Sequence, residues 1–302
     1  MKEADDTGGL VPALLMIAAM AIIGVIDNFI VRLAEEIGLW QFHATRALLA
    51  LPMVAGLSLL GLGRIRPARL WAVTLRSLLV AVAMLFYFAA LALIPVAQAM
   101  AGLFTSPIFI VLITVLAGRQ RIGPWRVLAV AVGFAGILLV LQPDPRKFEI
   151  ATLIPVAGGF FYALGAIATN TLCARESTVS LLMGMMLALG LFGLLGLAGI
   201  AVLGPESAPG PEGFVTRGWV WPMWQAAPWV MVQAAGSVVA VFMMTKGYQL
   251  GEPSYVGVFE YSLMIFGPLF AWVALGQGVG PWQVLGITLI ALAGGIIAVR
   301  SK

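Results

Sequence analysis

Three ionisable residues stand inside otherwise apolar runs: Asp27 in "AIIGVIDNFIV", Arg46 in "FHATRALLALP" and Glu260 in "VFEYSLMIFGPLF". A charge among apolar neighbours is costly to bury, so each is a candidate for function and each needs a partner. The planar fork of Arg46 suits a substrate carboxylate or phosphate; a salt bridge to Asp27 that fastens two neighbouring helices is the structural alternative. Asp27 or Glu260 could carry a proton or act as counter-ion to an amine. His43 lies three residues before Arg46 on the same helix face and is expected to make an interfacial hydrogen bond at the outer boundary. Arg76 is expected to snorkel to the cytoplasmic surface.

Tyr87, Tyr162, Asn170, Trp229, Gln233, Tyr255 and Tyr261 offer hydrogen bonds or cation–π faces to an organic ligand, although packing and belt roles account for most aromatics in any membrane chain. Pro107 and Pro268 each leave a carbonyl without its helical donor, and are candidate hinges or static kinks. Catalysis is not indicated: there is no Gly-x-Ser-x-Gly elbow, no HExxH and no phosphate loop. With one histidine, His43, and one cysteine, Cys173, neither a metal cluster nor a disulfide is expected, and no cofactor is implied.

The elements that must position these residues follow from composition. Of 302 residues 62% are hydrophobic and 10% charged, against about 25% charged in soluble domains. The fold class is therefore all-α integral membrane, with the lipid bilayer as solvent. The net charge of +4 does not point to nucleic acid, because the basic residues are scattered through short loops without interleaved aromatics. Lys2 is offset by Glu3, Asp5 and Asp6, which is unlike a cleavable signal, so Leu10 begins the first retained span.

About 20 apolar residues cross a bilayer, and turn formers and charges cut the chain into ten such runs, at 10–33, 40–61, 70–93, 96–117, 124–141, 150–172, 178–203, 226–247, 254–275 and 281–299. Loops on the N-terminal side hold Arg64, Arg66, Arg69, Arg119, Arg121, Arg126, Arg175 and Lys246, with Lys2, Arg300 and Lys302 in the tails. The other side holds Arg32, Arg146, Lys147 and Arg217. This bias places both termini in the cytoplasm and the protein in the cytoplasmic (inner) membrane. Segment 205–225 then lies outside, as an interfacial anchor through Trp219, Trp221 and Trp224 or as a substrate lid.

The chain also repeats itself. Gly123-Pro124-Trp125 opens the fifth run and Gly280-Pro281-Trp282 the tenth; Pro95 matches Pro253, and Gly24 and Glu35 match Gly165 and Glu176 at one offset. Glycines 133, 136, 158, 159, 294 and 295 would permit close helix contacts. Five runs per half is an odd number, so the two halves enter the membrane from opposite sides. Such inverted repeats place a transport site near the midplane between the halves. The expected organisation is a tail at 1–9, a first repeat at 10–141, an external connector at 142–149 and a second repeat at 150–302.

On "FHATRALLALP", "FYFAALALIPVAQAMAGLFTSPIFIVLI" and "FEYSLMIFGPLFAWVALGQ", with the two matching halves, the whole chain resembles the drug/metabolite transporter superfamily, specifically its EamA-type ten-helix members. It departs from the Gly-Glu pair common at the ends of their fourth and ninth spans, having Gly118-Arg119 and Gly276-Gln277. The resemblance implies a secondary transporter that moves a small polar organic metabolite by alternating access. The charged candidates suggest an amino acid or an amino-acid or nucleoside derivative, and residues 236–261 look like bacterial S-adenosylmethionine carriers of the same superfamily. Proton or ion coupling, and monomer or homodimer, stay open. The alternatives are an integral-membrane enzyme on lipid-linked substrates and a non-transporting adaptor.

Overall fold

The computed structural model describes residues 7–94, 96–117, 123–143, 150–276 and 278–300. Lys2, Pro95, Gly118, Arg119, Arg121, Arg146, Lys147, Gln277 and Lys302 lie outside the described residues. Among those described, ten helical stretches are long and apolar enough to cross a membrane: Gly9–Glu36, Leu39–Leu59, Leu70–Ala90, Ala99–Leu116, Pro124–Leu141, Leu153–Thr171, Thr178–Leu203, Ala227–Leu250, Pro253–Leu275 and Pro281–Arg300. This is a multi-pass, all-helical membrane protein, because in hydrocarbon a helix satisfies every backbone group within its own segment. The first span begins, and the tenth ends, on one side of the layer, the terminal side.

Three spans are broken inside the apolar layer. The first runs as a helix Thr7–Ile26, a 3-10 turn Asp27–Phe29 and a helix Ile30–Glu36. The fourth stops at Leu103 and restarts at Ser106, and the ninth passes through a 3-10 segment Gly257–Ser262 before the helix Leu263–Leu275. Each break carries a short polar side chain that donates to a nearby carbonyl: Asn28 to Gly24 at 2.6 Å, Thr105 to Gly102 at 2.6 Å and Ser262 to Phe259 at 2.7 Å. Away from water such donors are what makes an interrupted helix tolerable. Pro107 sits at the start of the restarted fourth helix, whereas Pro268 is inside the ninth, beyond its break.

The fifth span packs along the tenth and the second along the seventh. The first packs on the eighth and ninth, the third on the sixth and seventh, the fourth on the sixth and the second on the eighth. Exchanging each helix for the one five places away maps this set of pairings onto itself. At the fifth–tenth seam, a Cβ on Gly136 would lie 2.7 Å from the carbonyl oxygen of Gly286, so the two backbones meet with no room for side chains. Gly295, expected at such a contact, faces open space instead.

Segment 205–225 is strapped to the link between the first two spans. Leu39 N–H donates to Phe214 O at 2.7 Å, Trp40 Nε1 to Val215 O at 2.8 Å, and Gln41 exchanges two bonds with the Val220 backbone at 2.9 and 2.8 Å. Arg217 donates to the Ala34 and Ile37 carbonyls. Trp219, Trp221 and Trp224 remain exposed.

Candidate functional site

Two of the helix breaks carry the two intramembrane carboxylates. Glu260 lies in the 3-10 segment of the ninth span and is 3% exposed. Its Oε1 accepts from the Tyr162 hydroxyl at 2.6 Å and from the Tyr248 hydroxyl at 2.7 Å. Asp27 opens the 3-10 turn of the first span and is only partly buried. The preceding carbonyl, Ile26 O, accepts from Gln233 Nε2 at 2.6 Å, which holds the break against the eighth span.

Arg46 is buried, with its guanidinium 4.9 Å from the Phe42 ring centre and Nη2 3.3 Å from His43 Nδ1. No carboxylate oxygen of Asp27 comes within 4.0 Å of it; the ion pair among the described residues is Arg126 with Glu252. His43 itself is fully buried against Phe42 and Phe88, with no partner at Nε2, so it does not make the interfacial bond expected of it.

These groups enclose one cavity of about 140 Å³. Asp27, Arg46, Tyr87, Tyr162, Gln233 and Glu260 line it, together with Ser106 and Ser237. The remaining wall is apolar and soft: Met20, Met84, Met185, Met186 and Met244 with Phe88 and Phe104. Methionine adapts to irregular shapes and makes favourable contacts with aromatic rings. At Asp27, Ile30, Tyr87 and Leu263 the cavity meets a vestibule of about 770 Å³, on the side away from the termini. Arg32, Glu35 and Pro268 line that vestibule.

Four other candidates lie elsewhere. Asn170 donates to the Tyr248 and Gly251 carbonyls at 3.2 and 2.9 Å, tying down the end of the eighth span. Trp229 stacks on Phe29 at 4.4 Å beneath Arg32. Tyr255 packs edge-on to Phe259. Tyr261 is fully buried, pressed on Gly133, with no partner for its hydroxyl. Tyr248, a ligand of Glu260, went unrecognised in the sequence. So did the methionines, although their concentration in "LLMGMM" and "FMM" amid Leu and Ala was a usable signal.

Known proteins share this architecture. The model of the EamA-like transporter family matches residues 10–142. A "Riboflavin transporter" of Vibrio cholerae serotype O1 is 26% identical over 66% of this chain, an alignment spanning 61% of that protein. A "Riboflavin transporter" of Rhizobium johnstonii is 28% identical over 84% of this chain and 77% of the relative. One solved crystal structure shares the fold, with a TM-score of 0.77 at 20% identity over 96% of this chain and 99% of that one.

Toward the terminal side of the cavity lie successive polar layers. In the first, Arg76 donates to Thr169 Oγ1 at 2.9 Å, Thr245 Oγ1 at 3.1 Å and the Leu181 carbonyl at 3.4 Å. Arg76 is 2% exposed and does not snorkel: its face of the third span is covered by the sixth and seventh, so its charge is met by protein oxygens. In the next, Gln249 joins Thr178 to the Cys173 and Glu176 carbonyls. Outermost, Arg126 pairs with Glu252 and bonds Ser254 at 3.0 Å, linking the fifth span to the eighth–ninth connection. Glu176 accepts the Ala68 and Arg69 amides at 2.8 and 2.6 Å.

Proposed function

We propose that this chain carries a flat heteroaromatic metabolite of the flavin type, through two five-helix halves of opposite orientation that open the central cavity alternately to the two membrane faces. The observation that carries the reading is the cavity itself. It is walled by methionines and aromatic rings contributed by both halves, holds a few hydrogen-bonding groups, and meets the vestibule on the side away from the termini. A flavin ring presents a large apolar face for sulfur and aromatic contacts, with an edge N–H and carbonyls for Glu260, Tyr162, Gln233 and Asp27.

The names of the relatives support a flavin and give amino acids and S-adenosylmethionine no support. The vestibule corresponds to the outside if the Lys/Arg bias sets the orientation, with both termini in the cytoplasm. The pairing of helices five places apart supports the two-half organisation.

The test is riboflavin counterflow in proteoliposomes, with unlabelled riboflavin, amino acids and S-adenosylmethionine as competitors. Saturable uptake blocked by riboflavin alone is expected. No uptake, or uptake of an amino acid or S-adenosylmethionine instead, overturns the flavin assignment.

A further inference from the structure

Any coupling role for Glu260 rests on the transport function proposed for this chain. Both phenols that touch this residue donate to the same oxygen, Oε1, so Oε2 is the atom on which a proton would sit. Tyr162 belongs to the sixth span, Tyr248 to the eighth and Glu260 to the ninth, so three spans meet at one carboxyl oxygen. No Lys or Arg nitrogen lies within 4.0 Å of it among the described residues. Hydrogen bonds to an ionised carboxylate are roughly twice as strong as those to a neutral group. One proton on Oε2 therefore loosens both ties at once.

The position of this knot gives the change a direction. On the vestibule side the cavity is open. Immediately toward the terminal side stands the Arg76 layer, whose Thr169 is seven residues from Tyr162 on the same helical face and whose Thr245 is three from Tyr248. Loosening the two tyrosines acts on the helices that shut this layer.

We propose that Glu260 is the proton-coupling group and works as a charge-sensitive clamp. Ionised, it holds the sixth, eighth and ninth spans together and keeps the terminal side closed. A proton from vestibule water binds Oε2, both phenol bonds weaken, the terminal side opens, and the proton leaves to water there. Each cycle forms and breaks one O–H bond and moves one proton across. The titratable groups facing Glu260 are Tyr162, Tyr248 and its neighbour Tyr261, with Arg76 beyond Tyr162 and with Asp27 and Arg46 in the wall of the same cavity.

Two readouts test this. In proteoliposomes, riboflavin uptake is compared with and without a proton gradient directed from the vestibule face to the terminal face, for wild type, Glu260→Gln and Glu260→Asp. The gradient should stimulate wild type and Glu260→Asp and lose its effect in Glu260→Gln, whatever the basal rate. The second readout needs no substrate: Ser237→Cys, in the cavity wall, is labelled with a membrane-impermeant maleimide from the terminal side of oriented vesicles. Cys173 is a quiet background, since it is buried in the sixth–seventh connection and burial pushes its thiol up to about 11.

Labelling should rise as pH falls, and in Glu260→Gln it should be high at every pH. Terminal-side labelling that ignores pH in wild type, or a pH response retained by Glu260→Gln, overturns the clamp. Riboflavin transport that fails while the labelling behaves as stated overturns the flavin assignment and leaves the clamp standing.

Discussion

Asp27 and Glu260 are both carboxylates set in a one- or two-turn 3-10 break of an apolar span, and both line the same cavity, yet their surroundings differ. Glu260 is nearly fully buried, gripped by two phenols, and lines the cavity but not the vestibule. Asp27 is partly open and lines cavity and vestibule alike, with Gln233 braced behind it. A break lets a charge sit in the membrane; partners and access decide its use. Under the proposed function, Asp27 would meet an arriving solute, and Glu260, as the proposed clamp, would sense whether the closed side should open.

The largest effect that would break or sharpen this contrast belongs to Glu260→Ala, which takes the shared acceptor from the Tyr162 and Tyr248 hydroxyls and removes the knot between three spans. Riboflavin counterflow should fall by about tenfold or more, corresponding to ~1.4 kcal/mol. Next comes the pair of single-atom deletions Tyr162→Phe and Tyr248→Phe. Each should slow counterflow by about threefold, corresponding to ~0.7 kcal/mol, and because both donors share Oε1 the double variant should not equal the sum; initial rates of the three variants decide this.

Asp27→Asn keeps the shape and removes the charge. It should raise the half-saturating riboflavin concentration by about threefold to tenfold while sparing the maximal rate, and an equal loss in both parameters would erase the distinction from Glu260. Smallest is Tyr255→Phe: the ring packs on Phe259 away from the cavity, so transport should stay within about twofold.

The fold was legible because the signal behind each span is blunt: about 20 apolar residues between turn formers and charges. None of the ten limits moved by more than three residues. The breaks were harder to see, because hydropathy does not register a helix that opens for one turn. Their mark is a single Asn28, Thr105 or Ser262 placed to mend a carbonyl.

Arg76 and His43 were misplaced for a related reason. A protein-facing and a lipid-facing helix surface are both apolar, so depth along the span could be read, but not the direction of the side chain. Of the ten polar and aromatic candidates, those that reached the cavity lie on the first, second, third, sixth, eighth and ninth spans. Tyr261, one residue from Glu260, points instead into the seam with Gly133.

The most direct test of the central claim, that a flavin occupies the cavity between the two halves, is the quenching of riboflavin fluorescence by the purified protein. Saturable quenching is expected, abolished when Ser237→Trp fills the cavity and retained in Tyr255→Phe. Quenching that survives Ser237→Trp unchanged, or that never saturates with the wild-type protein, would contradict it.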